Sequence, residues 1–173
     1  PIHKKGDRTD PSNYRGISIS NVIYKLWAQV LCNRLTTEIE EKNLLPETQA
    51  GFRKGRSTID NIYILNTLVQ ETIWKKDKLF TLFIDLKAAF DTISRERLWD
   101  VMSKVGISKY LIECIKEIYR KTPLTIGNIT FFTNKGLKQG CPLSPILFAL
   151  YIHDIEEILS KYGADTARPF PLF

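Results

Sequence analysis

Apolar positions along this chain follow two periods. From Val22 onward they recur every three or four residues, at Val22, Ile23, Leu26, Trp27, Val30, Leu31, Leu35 and Ile39, with Glu38, Glu40 and Glu41 outside the stripe. That spacing predicts a helix ending near Asn43, before Pro46. A second helix is predicted behind a cap at Ser57 or Thr58, carrying Ile59, Ile62, Tyr63, Leu65, Val69 and Ile73. Ser94 opens a third, with Leu98, Trp99, Met102 and Val105 on one face and Gly106 at its end. A fourth runs from about Lys109 to Tyr119. The last is predicted with Ser144 as its cap and Pro145 in its first turn, continuing to about Tyr162 and Gly163.

Elsewhere the pattern is that of strands. Gly16, Ser18 and Ser20 alternate with Ile17 and Ile19. The stretch 79-LFTLFID-85 is a continuous apolar run and predicts a buried strand with an acid, Asp85, at its tip. In 124-LTIGNITFF-132 a Gly-Asn pair separates two apolar runs, a hairpin signal. The final 167-ARPFPLF-173 reads as the beginning of another strand. Helices and short strands mixed without strict alternation predict an α+β fold.

With 173 residues, 43% hydrophobic and 25% charged, the chain suits one domain or two small lobes sharing a core. Its net charge of +6 is compatible with a polyanionic partner, though ordinary soluble proteins reach the same value. Cys32, Cys114 and Cys141, with His3 and His153, have no zinc-site spacing, and no disulfide partner is expected. The apolar run 145-PILFALYI-152 is too short to cross a bilayer, so no membrane partner is expected. The chain starts at Pro1 and its one methionine is Met102, which reads as a piece of something longer.

The candidate chemistry starts at Asp85. A carboxylate closing an apolar strand can offer the hard oxygen that Mg²⁺ prefers; taken alone, an aspartate capping a turn is the commoner case. Asp91 has the pattern of a turn or helix-start acid. The small side chains of Ala88 and Ala89 let a ligand approach the backbone, whose N–H groups can face phosphate oxygens, with Phe90 as a bulky wall beside them. A tight turn with one core aromatic reads equally from the same residues. Lys4, Lys5 and Arg15 lie beside glycines, and Arg53, Lys54 and Arg56 are interleaved with Gly51 and Gly55. Arginine forks and glycine amides both suit phosphate, and the same composition serves mobile surface loops. In 136-GLKQGCPLSP-145, Gln139 can donate and accept at a cleft wall shaped by Gly140 and Pro142.

The succession PIHKKGD, NYRGISI, QAGFRKGRSTID, FIDLKAAFD and GLKQGCPLSPILFALYIHD resembles the reverse transcriptase of non-LTR (LINE-type) retrotransposons, and more distantly that of group II introns. The likeness covers nearly the entire chain. It implies a right-hand polymerase, with fingers over residues 1–77 and a partial palm over 78–173, lacking the thumb. It also implies RNA-directed DNA polymerisation on an RNA template and DNA primer with deoxynucleoside triphosphates, in the nucleus or cytoplasm. On that resemblance Asp85 and the Leu86 carbonyl hold metal, with two Mg²⁺ ions in the complete enzyme. Phe90 becomes the gate that rejects a ribose 2′-hydroxyl. Lys4 or Lys5 and Arg15 clamp the triphosphate. Gln139 and Gly140 contact the incoming nucleotide, with Ala88 and Ala89 beside it. Pro142, Leu143, Ser144 and Pro145 pack near the nascent base pair, and Arg53, Lys54 and Arg56 lie near the template.

The family's remaining acids belong to an aromatic-Ala-Asp-Asp box, expected just past Phe173; Ala164-Asp165, followed by Thr166, is no substitute. Residues 1–173 alone are therefore expected to be inactive and to leave an unpaired edge beside the Asp85 strand. The alternatives are a catalytically dead nucleic-acid-binding remnant of such an element and a splicing-promoting maturase.

Overall fold

Asn21 fixes where the first long helix begins: its side-chain oxygen accepts from the Tyr24 N–H at 2.7 Å. The computed structural model describes residues 1–120 and 123–162. Helix α1 (Val22–Glu41) is followed by α2 (Thr58–Trp74), α3 (Arg95–Lys104), α4 (Lys109–Tyr119), α5 (Ser144–Tyr151) and α6 (Ile155–Lys161). Two antiparallel pairs of short strands complete the described residues. β1 (Ile2–His3) pairs β2 (Tyr14–Arg15), and β3 (Pro123–Ile126) pairs β4 (Ile129–Phe132) across Gly127-Asn128. The fold is α+β, as the mixed pattern predicts.

The core is where helical stripes meet. Leu31, Leu35 and Ile39 of α1, Leu98 and Met102 of α3, Ile115 of α4 and Leu147 and Leu150 of α5 are all fully buried. Helix α5 packs on α3, and α4 packs on both α1 and α3. The end of α1 is tied to the α3–α4 turn. Glu38 accepts from the Ser108 N–H at 2.7 Å and its hydroxyl at 2.9 Å, and Lys42 donates to the Gly106 carbonyl at 2.9 Å. Ser57 caps α2 by accepting from the Ile59 N–H, while Asp60 reaches back to the Ser57 N–H.

Four expectations change. Apart from half-buried Tyr24, the first two turns of α1 are exposed, with Ile23 at 81%; the fully buried stripe begins only at Ala28. The predicted strand at residues 16–20 forms no ladder; pairing occurs earlier, at Tyr14–Arg15. The run at 79–85 is extended but pairs with no strand among the described residues, and it is not core: Phe80 is 87% exposed and Leu82 81%. A lone extended segment has no partner for its backbone groups, so hydrophobicity cannot bury it as a sheet. Its alternate residues Leu79, Thr81 and Phe83 instead line a groove with Leu65, Val69 and Ile73 of α2.

The last predicted helix is two helices. Leu143, not Ser144, occupies the cap position of α5, and Ser144 turns inward to donate to the Lys138 carbonyl at 2.7 Å. The break at Ile152–Asp154 carries a ring N–H of His153 donating to the Leu150 carbonyl at 3.0 Å, a side chain competing with the helix for its own backbone. The expected strand at 167–173, and Gly163 and Asp165, lie outside the described residues.

Candidate active site

Two glycines let two loops touch. Gly136 sits so close to the 90–91 backbone that a Cβ would stand 3.0 Å from the Asp91 carbonyl oxygen and 3.3 Å from that of Phe90. Its N–H donates to the Ile93 carbonyl at 2.8 Å, and the next N–H, of Leu137, to that of Phe90 at 2.8 Å. Gly140, at φ +100, would place a Cβ 3.1 Å from the Ser18 carbonyl oxygen. There the Ser18 N–H donates to the Gln139 carbonyl at 2.8 Å. The loop 136–141 is thus sewn to the turn after Asp85 on one side and to the N-terminal segment on the other.

The turn itself is strained. Ala88 holds φ +52, a left-handed conformation unusual for a residue with a Cβ, and its carbonyl accepts from the N–H groups of Asp91 and Thr92. Phe90 stacks on Phe148 of α5 at 5.1 Å between ring centroids, and Phe52 meets both rings edge-on at 6.3 Å. Arg95 clamps the far side of the loop, donating to the carbonyls of Gly136, Thr133 and Lys135 and to the Thr133 hydroxyl.

These contacts open one cleft of about 880 Å³. Lys4, Arg15, Asp85, Leu86, Ala88, Ala89, Phe90, Gln139, Gly140, Pro142 and Pro145 all line it. Arg15 and Gln139, 124 positions apart in sequence, share its wall with Asp85. No helix among the described residues is long and apolar enough to cross a membrane. Cys32, Cys114 and Cys141 are free thiols, with Cys141 buried in the cleft wall.

Several sequence-derived candidates lie elsewhere. Lys5 is exposed and outside the cleft lining. Arg53 is 8% exposed and faces inward. Its guanidinium forms a fork on Glu40 at 3.1 and 2.8 Å and donates to the Pro46 and Gln49 carbonyls. The Glu40 bond raises the Arg53 pKa, and Arg53 in turn holds the Glu40 carboxyl below its usual range. Arg53 is a buttress of its loop, because its donors are already used. Arg56 pairs with Glu47, and Lys54 is exposed. Leu143 is fully buried in the core and outside the cleft lining, whereas Ser144, also buried, does line the cleft.

The sequence pattern did not mark three features. Asp91 lines the cleft and accepts from the Gln139 side-chain amide at 3.1 Å, fixing which way that amide faces. Lys138 is buried behind the loop; an interior lysine next to Gln139 looks like any loop cation in the sequence. Phe52 reaches Phe90 only through the fold. As for metal, the Asp85 carboxylate and Leu86 carbonyl are hard oxygens of the kind Mg²⁺ takes, and no group of three or more acidic, histidine or cysteine residues that could hold an ion occurs among the described residues.

A family model described as reverse transcriptase (RNA-dependent DNA polymerase) matches residues 2–166. The chain is 29% identical over 162 residues to a probable RNA-directed DNA polymerase from transposon BS of Drosophila melanogaster, which covers 89% of this chain and 18% of that protein. It is 28% identical over 160 residues to the Pol polyprotein of the type-1 retrotransposable element R2 of Popillia japonica, covering 89% of this chain and 22% of the relative. A probable RNA-directed DNA polymerase from the Drosophila melanogaster X-element is 26% identical over 180 residues, covering 98% of this chain and 19% of the relative. The chain spans about a fifth of the length of these curated relatives. With four of its five quoted motifs contributing residues to one cleft and the match running almost end to end, the chain belongs to the reverse transcriptase (RNA-dependent DNA polymerase) family.

Proposed function

We propose that this chain forms the nucleotide-binding side of an RNA-directed DNA polymerase, with residues 1–77 as fingers and 78–173 as part of the palm. The supporting observation is the shared cleft of Asp85, Phe90, Arg15 and Gln139. Because the chain spans about a fifth of its relatives, the full activity is read for a longer protein that contains these residues.

The reaction joins a primer 3′-hydroxyl oxygen to the α-phosphorus of a deoxynucleoside triphosphate as pyrophosphate leaves and the hydroxyl proton is released. Catalysis is then mostly placement and charge neutralisation. Asp85 and the Leu86 carbonyl would hold Mg²⁺, which when bound neutralises phosphate charge and acidifies the attacking hydroxyl. Lys4 and Arg15 meet triphosphate oxygens at the rim, and the 88–89 backbone approaches the same anion. Phe90, held from behind by Phe148, stands where a ribose 2′-hydroxyl would need room. Gln139, oriented by Asp91, and Gly140 face the nucleotide, with Pro142 and Pro145 beside the new base pair. Lys54 and Arg56 remain candidates for the template backbone.

Calorimetric titration of the purified chain with dATP, with and without Mg²⁺, tests this reading. Expected are metal-dependent binding, loss of the metal dependence in Asp85→Asn, and a gain in ATP binding relative to dATP in Phe90→Ala. A chain that binds neither nucleotide defeats it. Primer extension by residues 1–173 alone is expected to be absent.

A further inference from the structure

Lys138 lies behind the cleft wall, 7% exposed. Its ammonium donates to the Tyr24 hydroxyl of α1 at 3.3 Å and to the Ile118 carbonyl of α4 at 3.4 Å. It stands 4.7 Å from the centre of the Tyr24 ring and 5.4 Å from that of Tyr119. The Arg95 guanidinium, also buried, lies 5.0 Å from the same Tyr119 ring. No ion pair among the described residues includes either cation. Two buried positive charges thus share one aromatic ring, with no acid partner among the described residues.

Such an arrangement opposes folding, since an apolar side chain of similar volume would avoid the desolvation cost. What the charges adjoin gives them a use. The backbone that Lys138 anchors is the stretch that forms the cleft wall at Gln139, Gly140 and Cys141. Ser144 donates to the Lys138 carbonyl, and the Cys141 thiol stands 3.5 Å from the Tyr24 hydroxyl. Lys4 and Arg15 at the rim are exposed, so salt screens them; a charge set in protein is screened far less.

We propose that Lys138, backed by Arg95, is a positioning residue that fixes the Gln139–Gly140 edge and charges it positively, setting the cleft's affinity for a nucleotide triphosphate. This rests on the nucleotide reading of the cleft given above. The charge is removable, because burial lowers the Lys138 pKa to about 8, with Arg95 adding to the fall and Cys141 opposing it. The groups facing it are Tyr24 from α1, Arg95 from α3, Tyr119 from α4 and Cys141 from its own loop. Burial pushes both tyrosines above their ordinary value, and the guanidinium stays charged.

The test is calorimetric titration of the chain with Mg²⁺ and dATP below and above that pKa, for wild type, K138M and K138R, with a thermal melt of each. Wild-type affinity is expected to fall about fivefold above the pKa, the size of one partly screened charge near the ligand. K138M shows the weaker affinity on both sides of the pKa without a lower melting temperature, and K138R restores tight binding and flattens the pH profile. A K138M chain binding as tightly as wild type, or a K138R chain keeping the pH dependence, overturns the inference and leaves the cleft reading standing. A wild-type chain that binds no dATP removes both. Should K138M fail to fold, the wild-type and K138R profiles decide.

Discussion

Gln139 donates its side-chain amide to Asp91 at 3.1 Å, joining two loops 48 residues apart across one cleft wall. An amide can face either way, and this bond leaves its oxygen directed elsewhere, available to accept from a ligand. Both partners sit near solvent, so the bond adds little to stability and much to orientation.

Asp91→Ala is therefore expected to shift stability by less than about 1 kcal/mol, as for other exposed polar pairs. Its effect should appear as weaker dATP binding, read by titration alongside a melt. A large stability loss with unchanged binding would reverse that assignment.

Arg53→Met removes the buried fork on Glu40. Breaking a wholly buried pair costs several kcal/mol, but Glu40 is partly exposed and can rehydrate, so about 2 kcal/mol is expected in urea unfolding. Nucleic-acid affinity should change less than in Lys54→Ala. The pair also carries an acid signature. Arg53 holds the Glu40 pKa below its ordinary 4.5, so its contribution is complete above that value and lost as pH falls through the folded pKa. Glu40→Gln should blunt that acid sensitivity.

Lys138 gives the opposite slope. Its folded pKa of about 8 lies below the ordinary 10.5, so between these values the unfolded chain binds more protons. The penalty for burying the charge is complete below about 8 and vanishes as pH rises toward 10.5. Wild-type stability measured against Lys138→Met should climb across that window, and a flat difference would count against a buried charge.

Leu82→Lys places a cation on the exposed extended run. At 81% exposure Leu82 contributes little packing, so the melting temperature should hold while light scattering shows less self-association. Equal aggregation of both chains would mean that this edge is not the sticky one.

The helices were legible because their signals are local. Ser57 and Ser94 accept from the first-turn N–H groups they precede, and Gly106 ends α3 at φ +93. Much of the cleft was legible through motif order, which places Asp85, Phe90, Arg15 and Gln139 without any geometry. What failed was non-local. Whether 79–85 forms a sheet depends on a neighbouring strand, and whether Arg53 faces solvent depends on Glu40, thirteen positions earlier. Lys138 was invisible because nothing in its immediate sequence reveals that Tyr24 and Tyr119 will close around it.

The unladdered run before Asp85 has a thermodynamic consequence. On its downstream side the carboxylate is followed by a turn stitched at Ala88 and Phe90; upstream it hangs from backbone with no cross-strand tether among the described residues. Any strand that zips onto 79–84 would immobilise that stem beforehand. The freezing entropy would then fall on zipping rather than on ion capture, so the two events would reinforce each other.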